Sequence, residues 1–339
     1  MKRFTQIVVI LTLICFAFFA CKEDAPTKPK TSLTATALYV LNAIGVSISQ
    51  VDLETNAVTN DIVTLGTWPN QLVYRKGKVY AINSGSNNIM IFNSDTWAPE
   101  APLALGAGNN PMNMVFYTDN IAYVACSVSN KVLQVNFSTK TVTKTIDAGV
   151  GATGIAYANN KIYTANTAFN GGNYTYGQGT VTVVNAQTGV KIEDINVFTN
   201  PQDIAVAPDG KLHVICTGDY FSQFGKVAII DPASDTMVDS VIVGGTPGII
   251  RISSVDKLGY LAVWGMGCLV YKTDTKEITH GEDGYFLGKG GSGLYVDPLG
   301  NVFVSVWEDD QVIKVDKDGT VLNTYNVGDS PSNLTSKLE

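Results

Sequence analysis

The chain has 339 residues, 45% hydrophobic and 16% charged, with 32 glycines and 15 tyrosines. That composition is too apolar and aromatic for disorder and too poor in charge for a coiled coil. A net charge of −7 argues against nucleic-acid binding, which needs clustered cations, and only two histidines, His213 and His280, are available for metal sites or imidazole base catalysis.

At the N-terminus, Lys2 and Arg3 precede an apolar run from Ile7 to Ala20 that is too short for a comfortable membrane span. The run ends Phe18-Phe19-Ala20-Cys21, which resembles a bacterial lipoprotein signal, although Phe18 departs from the usual aliphatic residue at that place. The resemblance implies removal of residues 1–20 and acylation of Cys21. Lys22-Glu23-Asp24 is similar to the surface-export tag of Bacteroidetes-type lipoproteins. Residues 21–34, with Pro26 and Pro29, read as a solvated tether. The expectation is an outer-membrane protein, held only by its lipid and facing the cell exterior. Its mature chain would carry a net charge of −9, because Lys2 and Arg3 leave with the signal. Cys126, Cys216 and Cys268 then remain for the fold; an odd number argues against a full disulfide framework and for buried free thiols.

From residue 35 onward a phrase returns, with Gly or Asn, then Pro, then a short apolar strand. It stands at Gly66 to Leu72, Asn109 to Met114, Asn200 to Ile204, Gly245 to Ile249 and Asp329 to Leu334, and proline-free at Gly151 to Ile155 and Gly291 to Leu294. These seven copies recur every 40 to 48 residues or so. Each is followed by a turn such as Lys76-Gly77 or Asp209-Gly210, then an alternating strand such as Val79 to Asn83. A third strand such as Ile89 to Asn93, another turn, and a last strand such as Val142 to Ile146 complete the unit. Four short strands per unit describe a propeller blade. The fold class expected is all-β, a seven-bladed β-propeller over residues 35–339. The first unit begins at its second strand, Leu38 to Asn42, and the chain ends on a first strand, Pro331 to Leu338. Exposed sheet edges are unfavourable, so Leu334 is expected to pair beside Leu38–Asn42 and close the ring in blade 1.

Tyr39-Val40-Leu41-Asn42, Tyr80-Ala81-Ile82-Asn83 and Tyr163-Thr164-Ala165-Asn166 resemble the repeat phrase of YVTN, or YncE-like, propellers. In blades 5 to 7, His213, Tyr260 and Phe303 hold the Tyr position. The resemblance implies the fold and leaves function open, since propellers host many activities.

Most motif-like sequences here have ordinary structural readings. Gly288 to Gly293 has the spacing of a dinucleotide loop, but a strand follows where a helix is required, so it reads as an interblade turn. Asp316 to Gly319 lacks the remaining ligands of a calcium loop and reads as a hairpin turn. Neither histidine falls in loops that converge, and Asp203 is the main acid near the axis. The expectation is a protein without catalytic residues, resident metal or cofactor.

The connections that share one face carry Trp68, Phe169, Tyr174, Tyr176, Tyr220, Phe221, Phe224, Trp264 and Trp307. The same connections carry the amides Asn70, Asn83, Asn87, Asn110, Asn166, Asn170, Asn173, Asn200 and Gln202. Aromatic planes with amide donors and acceptors suit a large, neutral ligand rich in amides or hydroxyls. A surface-type lipoprotein tag on a propeller resembles the cobalamin-capturing BtuG-type lipoproteins that cap TonB-dependent transporters. That resemblance implies capture of a corrinoid and its delivery to an outer-membrane transporter. The alternative is an adhesion or surface-layer-type propeller that binds an oligosaccharide or a protein.

Overall fold

The computed structural model describes residues 33–339. Residues 1–20, Cys21 and the tether up to residue 32 lie outside the described residues. Among the described residues all regular structure is β. Seven four-stranded antiparallel sheets form the blades, and a two-stranded hairpin stands apart from them. The innermost strands of blades 2 to 7 begin at Pro69, Pro111, Ala152, Pro201, Ile249 and Gly293, and that of blade 1 is the C-terminal strand Pro331–Leu338.

Ring closure follows the expected route. Ala35–Asn42 pairs antiparallel with Pro331–Leu338, Val40 standing opposite Leu334. Thr34 and Glu339 extend the ladder with reciprocal backbone hydrogen bonds of 2.8 and 3.0 Å. The last strand thereby removes two open edges at once.

The period of two serves two interfaces per strand. In Ile121–Cys126, the side chains of Ala122, Val124 and Cys126 enter the core between blades 2 and 3, while Tyr123 and Ala125 enter the next core. Strands so covered are buried on both faces, as in Lys78–Asn83, whereas outer strands such as Thr141–Asp147 are mostly exposed. Seven apolar clusters fill the seven blade interfaces, the last joining Phe303 and Tyr325 of blade 7 to Leu38 of blade 1. Cys126, Cys216 and Cys268 are buried free thiols within these cores.

The repeated Tyr ties blades 1, 3 and 4 to the blade that follows each. Tyr39 donates to the Ser94 carbonyl at 3.4 Å, Tyr123 to that of Ala186 at 2.7 Å, and Tyr163 to the Asp235 carboxylate at 2.5 Å. At the same position in blade 5, His213 Nδ1 meets the Tyr271 hydroxyl at 2.6 Å, and burial pulls the imidazole pKa down to about 4. The ring is therefore neutral and structural near pH 7.

Around the axis, the residue two places after the recurrent Pro clasps the neighbouring blade. Asn333 accepts from the Leu72 N–H at 2.9 Å, and Gln71 from that of Met114 at 2.7 Å. Asn113 donates to the Thr153 carbonyl at 3.3 Å, and Asp203 accepts from Ile250 N–H at 3.2 Å. A Cβ on Gly154 would lie 2.5 Å from Asp203 Cα, so blade 4 has backbone where blades 1, 2, 3 and 5 have a clasping side chain. Asp203, the axial acid, is also paired with Arg251 at 2.6 Å, which commits it to structure.

Candidate functional site

Because neighbouring strands are antiparallel, the second-to-third connections and the entries to the first strands share one face, here the upper face. The structure brings the predicted aromatics to it. Trp68 is 73% exposed, Tyr174 78% and Phe221 85%, while Phe169, Tyr220, Phe224 and Trp264 are also exposed and Trp307 half-buried. Trp97, the remaining tryptophan, is a packing residue on the other side: its ring lies edge-on to Tyr39 at 5.1 Å and its Nε1 donates to Gln50.

The aromatics form three stations. Trp68 stands on the entry to blade 2. The second station bridges blades 4 and 5. Its hairpin Phe169–Asn170 with Thr175–Tyr176 sets Phe169 5.1 Å from Tyr176, and Tyr176 lies 6.1 Å from Tyr220. Beside this hairpin is a cavity of about 530 Å³ lined by Val150, Phe169, Asn170 and Tyr176. The Tyr220-Phe221 tip is propped from below by Asp219, whose carboxylate accepts the N–H groups of Phe221, Ser222 and Gln223 at 2.7–2.9 Å. Those bonds, Gln223's first, hold its carboxyl well below the usual range. At the third station Trp264 of blade 6 meets Trp307 of blade 7, ring centroids 4.9 Å apart.

Trp68 occupies a place that disfavours it. In five blades the residue before the first strand lies in the left-handed region, with φ of 52° at Trp68 and Asn110, 73° at Gly151, 58° at Asn200 and 61° at Ser330. The blade imposes this conformation. The carbonyl of that residue accepts from the residue after the second strand: Trp68 from Ser84 at 2.9 Å, Asn110 from Ser127 at 3.0 Å and Asn200 from Thr217 at 2.9 Å. The other four blades use Asn, Ser or Gly, which tolerate positive φ; a tryptophan there carries strain of about 1–2 kcal/mol. Tyr174 and Tyr220 also have positive φ, 56° and 66°. Trp68, Tyr174 and Tyr220 are thus three exposed aromatic residues of one face that hold positive φ.

The predicted amides are placed differently. Asn83, Asn166 and Asn200 are fully buried beneath the upper face. Asn83 donates to Asn88, Asn166 to Thr180 and Thr182, and Asn200 to the Gly218 carbonyl. Asn70, Asn110 and Gln202 are half-buried and engaged with Ser84, Ser127 and Asn200 respectively. These six side chains brace loops. Of the expected amides, Asn170 and Asn173 in the blade 4 hairpin are open to solvent, and Gln178 and Gln223 on the same face are exposed as well. Also on the upper face, and missed in the sequence, are the exposed aliphatic tips Ile44, Val128 and Met266. Each sits in a second-to-third connection, so reading that turn for aliphatic as well as aromatic residues finds them.

Beneath the stations lies an axial cavity of about 520 Å³ lined by the inner strands, including Gln71, Asn113, Asp203, Arg251 and Asn333. Among the described residues no three His, Cys, Asp or Glu side chains gather as a metal site. His213 is buried between blades 5 and 6, and His280 packs against Phe286 at 5.3 Å. The Gly288 to Gly293 segment is an interblade loop with φ of 68°, 77° and 96° at Gly288, Gly290 and Gly291, and a strand follows it.

No protein-family model and no curated protein matches the sequence. Solved structures do match in fold. A protein of unknown function from Desulfotomaculum acetoxidans is 15% identical with a TM-score of 0.69, over 89% of this chain and 99% of that one. A quinoprotein alcohol dehydrogenase-like protein from Bacteroides thetaiotaomicron is 14% identical with a TM-score of 0.65, over 90% and 79%. Hydrazine synthase of Kuenenia stuttgartiensis is 16% identical with a TM-score of 0.66, over 78% and 88%. The chain has the fold of these propellers. At such identities the likeness concerns architecture and leaves chemistry to the site.

Proposed function

We propose that this protein captures a bulky, neutral ligand on the aromatic upper face, with a corrinoid as the best fit. The observation that carries this reading is Trp68, exposed and held in a left-handed conformation that other blades give to Asn, Ser or Gly. Aromatic rings offer large contact area at small entropic cost, and Asn170, Asn173 and the tyrosine hydroxyls supply hydrogen bonds for amide or hydroxyl edges. The role is binding and not catalysis: both histidines lie off the upper face and Asp203 is committed to Arg251.

The N-terminal sequence, which resembles a lipoprotein signal, is what supports a role at a cell surface. Ala35–Asn42 runs from the lower to the upper face, and Pro331–Leu338 returns to the lower one. A lipid on Cys21 would hold the protein at the membrane, and the aromatics would collect ligand for an outer-membrane transporter. Adhesion to a neutral glycan uses the same stacking chemistry and is the competing outcome of one experiment. In calorimetry of the full chain in detergent, the expected result is one cyanocobalamin bound per protein and little heat from neutral oligosaccharides. A glycan isotherm without a cyanocobalamin isotherm refutes the corrinoid reading.

A further inference from the structure

The three stations stand at nearly even intervals around the ring. Trp68 is on blade 2, the Tyr176–Tyr220 contact lies between blades 4 and 5, and the Trp264–Trp307 contact between blades 6 and 7. Counted in blades, the gaps are two and a half, two, and two and a half. One blade of seven turns the ring by about 51°, so the gaps are about 130°, 100° and 130°. The intervening blades 1 and 3 carry only the single aliphatic tips Ile44 and Val128 at the corresponding turns.

A linear chain lying on such a mouth follows a chord or an arc, and meets two of three points on the circle. A broad, flat ring lying across the axis meets all three at its edge. We infer that the three stations grip one ligand together, and that this ligand is a wide ring with a neutral, hydrogen-bonding periphery. The inference rests on the ligand-capture reading and deepens it, because it specifies ligand shape independently of the corrinoid assignment. It also accounts for the strain at Trp68: no other exposed aromatic stands on blades 1 to 3 of the upper face, so losing this ring opens the triangle.

The test compares cyanocobalamin, β-cyclodextrin and maltoheptaose, the last two being the same sugar units as a ring and as a chain. Calorimetry is run on the full chain and on Trp68→Asn, Tyr220→Ala and Trp264→Ala, one variant per station. Melting temperatures check each fold, and Trp264→Phe replaces Trp264→Ala if the latter unfolds. The expected result is one ring ligand per protein, weakened at least tenfold by each variant, with maltoheptaose at least tenfold weaker than β-cyclodextrin. If cyanocobalamin gives no heat while β-cyclodextrin behaves in this way, the corrinoid assignment fails and the three-point grip stands. The grip is overturned if any one station is dispensable within twofold, if the linear sugar binds as tightly as the ring, or if none of the three probes binds.

Discussion

Replacing Trp68 with asparagine, the residue that blades 3 and 5 use at this place, separates stability from function. About a quarter of the Trp68 surface is covered, since it is 73% exposed. That is on the order of 60 Å² of lost burial, about 1.5 kcal/mol at about 25 cal/mol per Å². Relief of the left-handed strain returns about 1 kcal/mol, because asparagine adopts positive φ readily. The two nearly cancel, so stability should change by less than about 1 kcal/mol and the melting temperature by less than about 3 °C. A tryptophan that held the core would instead cost about 3–5 kcal/mol on truncation. Ligand affinity should fall by about 2 kcal/mol, roughly thirtyfold, as for an aromatic anchor at other interfaces. Scanning calorimetry and titration calorimetry on the same preparation give both numbers. A large loss of stability with unchanged affinity would make Trp68 a structural residue and remove the principal support for the site.

Gly85→Ala should weaken binding without touching ligand, because its Cβ would lie 2.6 Å from Thr67 Oγ1, 3.0 Å from the Thr67 carbonyl and 3.1 Å from Trp68 Cε3, displacing the turn that seats the ring; an unchanged affinity shows that the ring has no fixed seat. Leu334→Ala should cost about 2–4 kcal/mol in denaturant unfolding, and truncation after Val327 should abolish a cooperative transition, since both attack the strand that closes blade 1. The His213 pKa is lowered from 6.5 to about 4 by burial, so in that window the unfolded chain binds the extra proton. Stability is therefore present above pH 6.5 and lost as pH falls towards 4, by about 3 kcal/mol at most. His213→Tyr, the residue of blades 1 to 4, should remove that part of the acid dependence; parallel pH–stability curves for the two proteins rule the histidine out as the cause. Cys21→Ser should move the protein from the membrane fraction to the soluble fraction of cells, and an unchanged membrane fraction refutes anchoring through Cys21.

The ring was readable because its physics repeats. The Gly/Asn-Pro phrase appears in the sequence because five inner strands share a left-handed entry and four share an axial clasp, which Asn333, Gln71, Asn113 and Asp203 supply. The aromatic upper face was readable for a related reason, since antiparallel pairing assigns each connection to one side. The amides were readable only in part: Asn170 and Asn173 are exposed, while the others brace loops, because an asparagine suits a ligand and a loop equally well. Asn42, Asn83 and Asn166 each pack on a glycine in the connection that follows the outer strand, namely Gly328, Gly66 and Gly149. Blade 5 has Cys216 in place of that asparagine and Phe198 in place of that glycine. Blade 3 also has a cysteine there, Cys126, yet keeps Gly108, so it is the packing of Asn42, Asn83 and Asn166 on their glycines, visible only in space, that assigns them to the loop. Positive φ at Trp68 was likewise hidden, although its alignment with Asn110, Gly151, Asn200 and Ser330 contains the signal.

The most direct measurement of ligand capture is a single titration of cyanocobalamin into the full chain and into a variant carrying Trp68→Asn, Tyr220→Ala and Trp264→Ala together. The expected result is one tight site per protein in the parent and no measurable site in a variant whose fold and melting temperature are retained. Equal binding by both proteins would place the ligand away from the upper face, and absence of binding by the parent would contradict corrinoid capture itself.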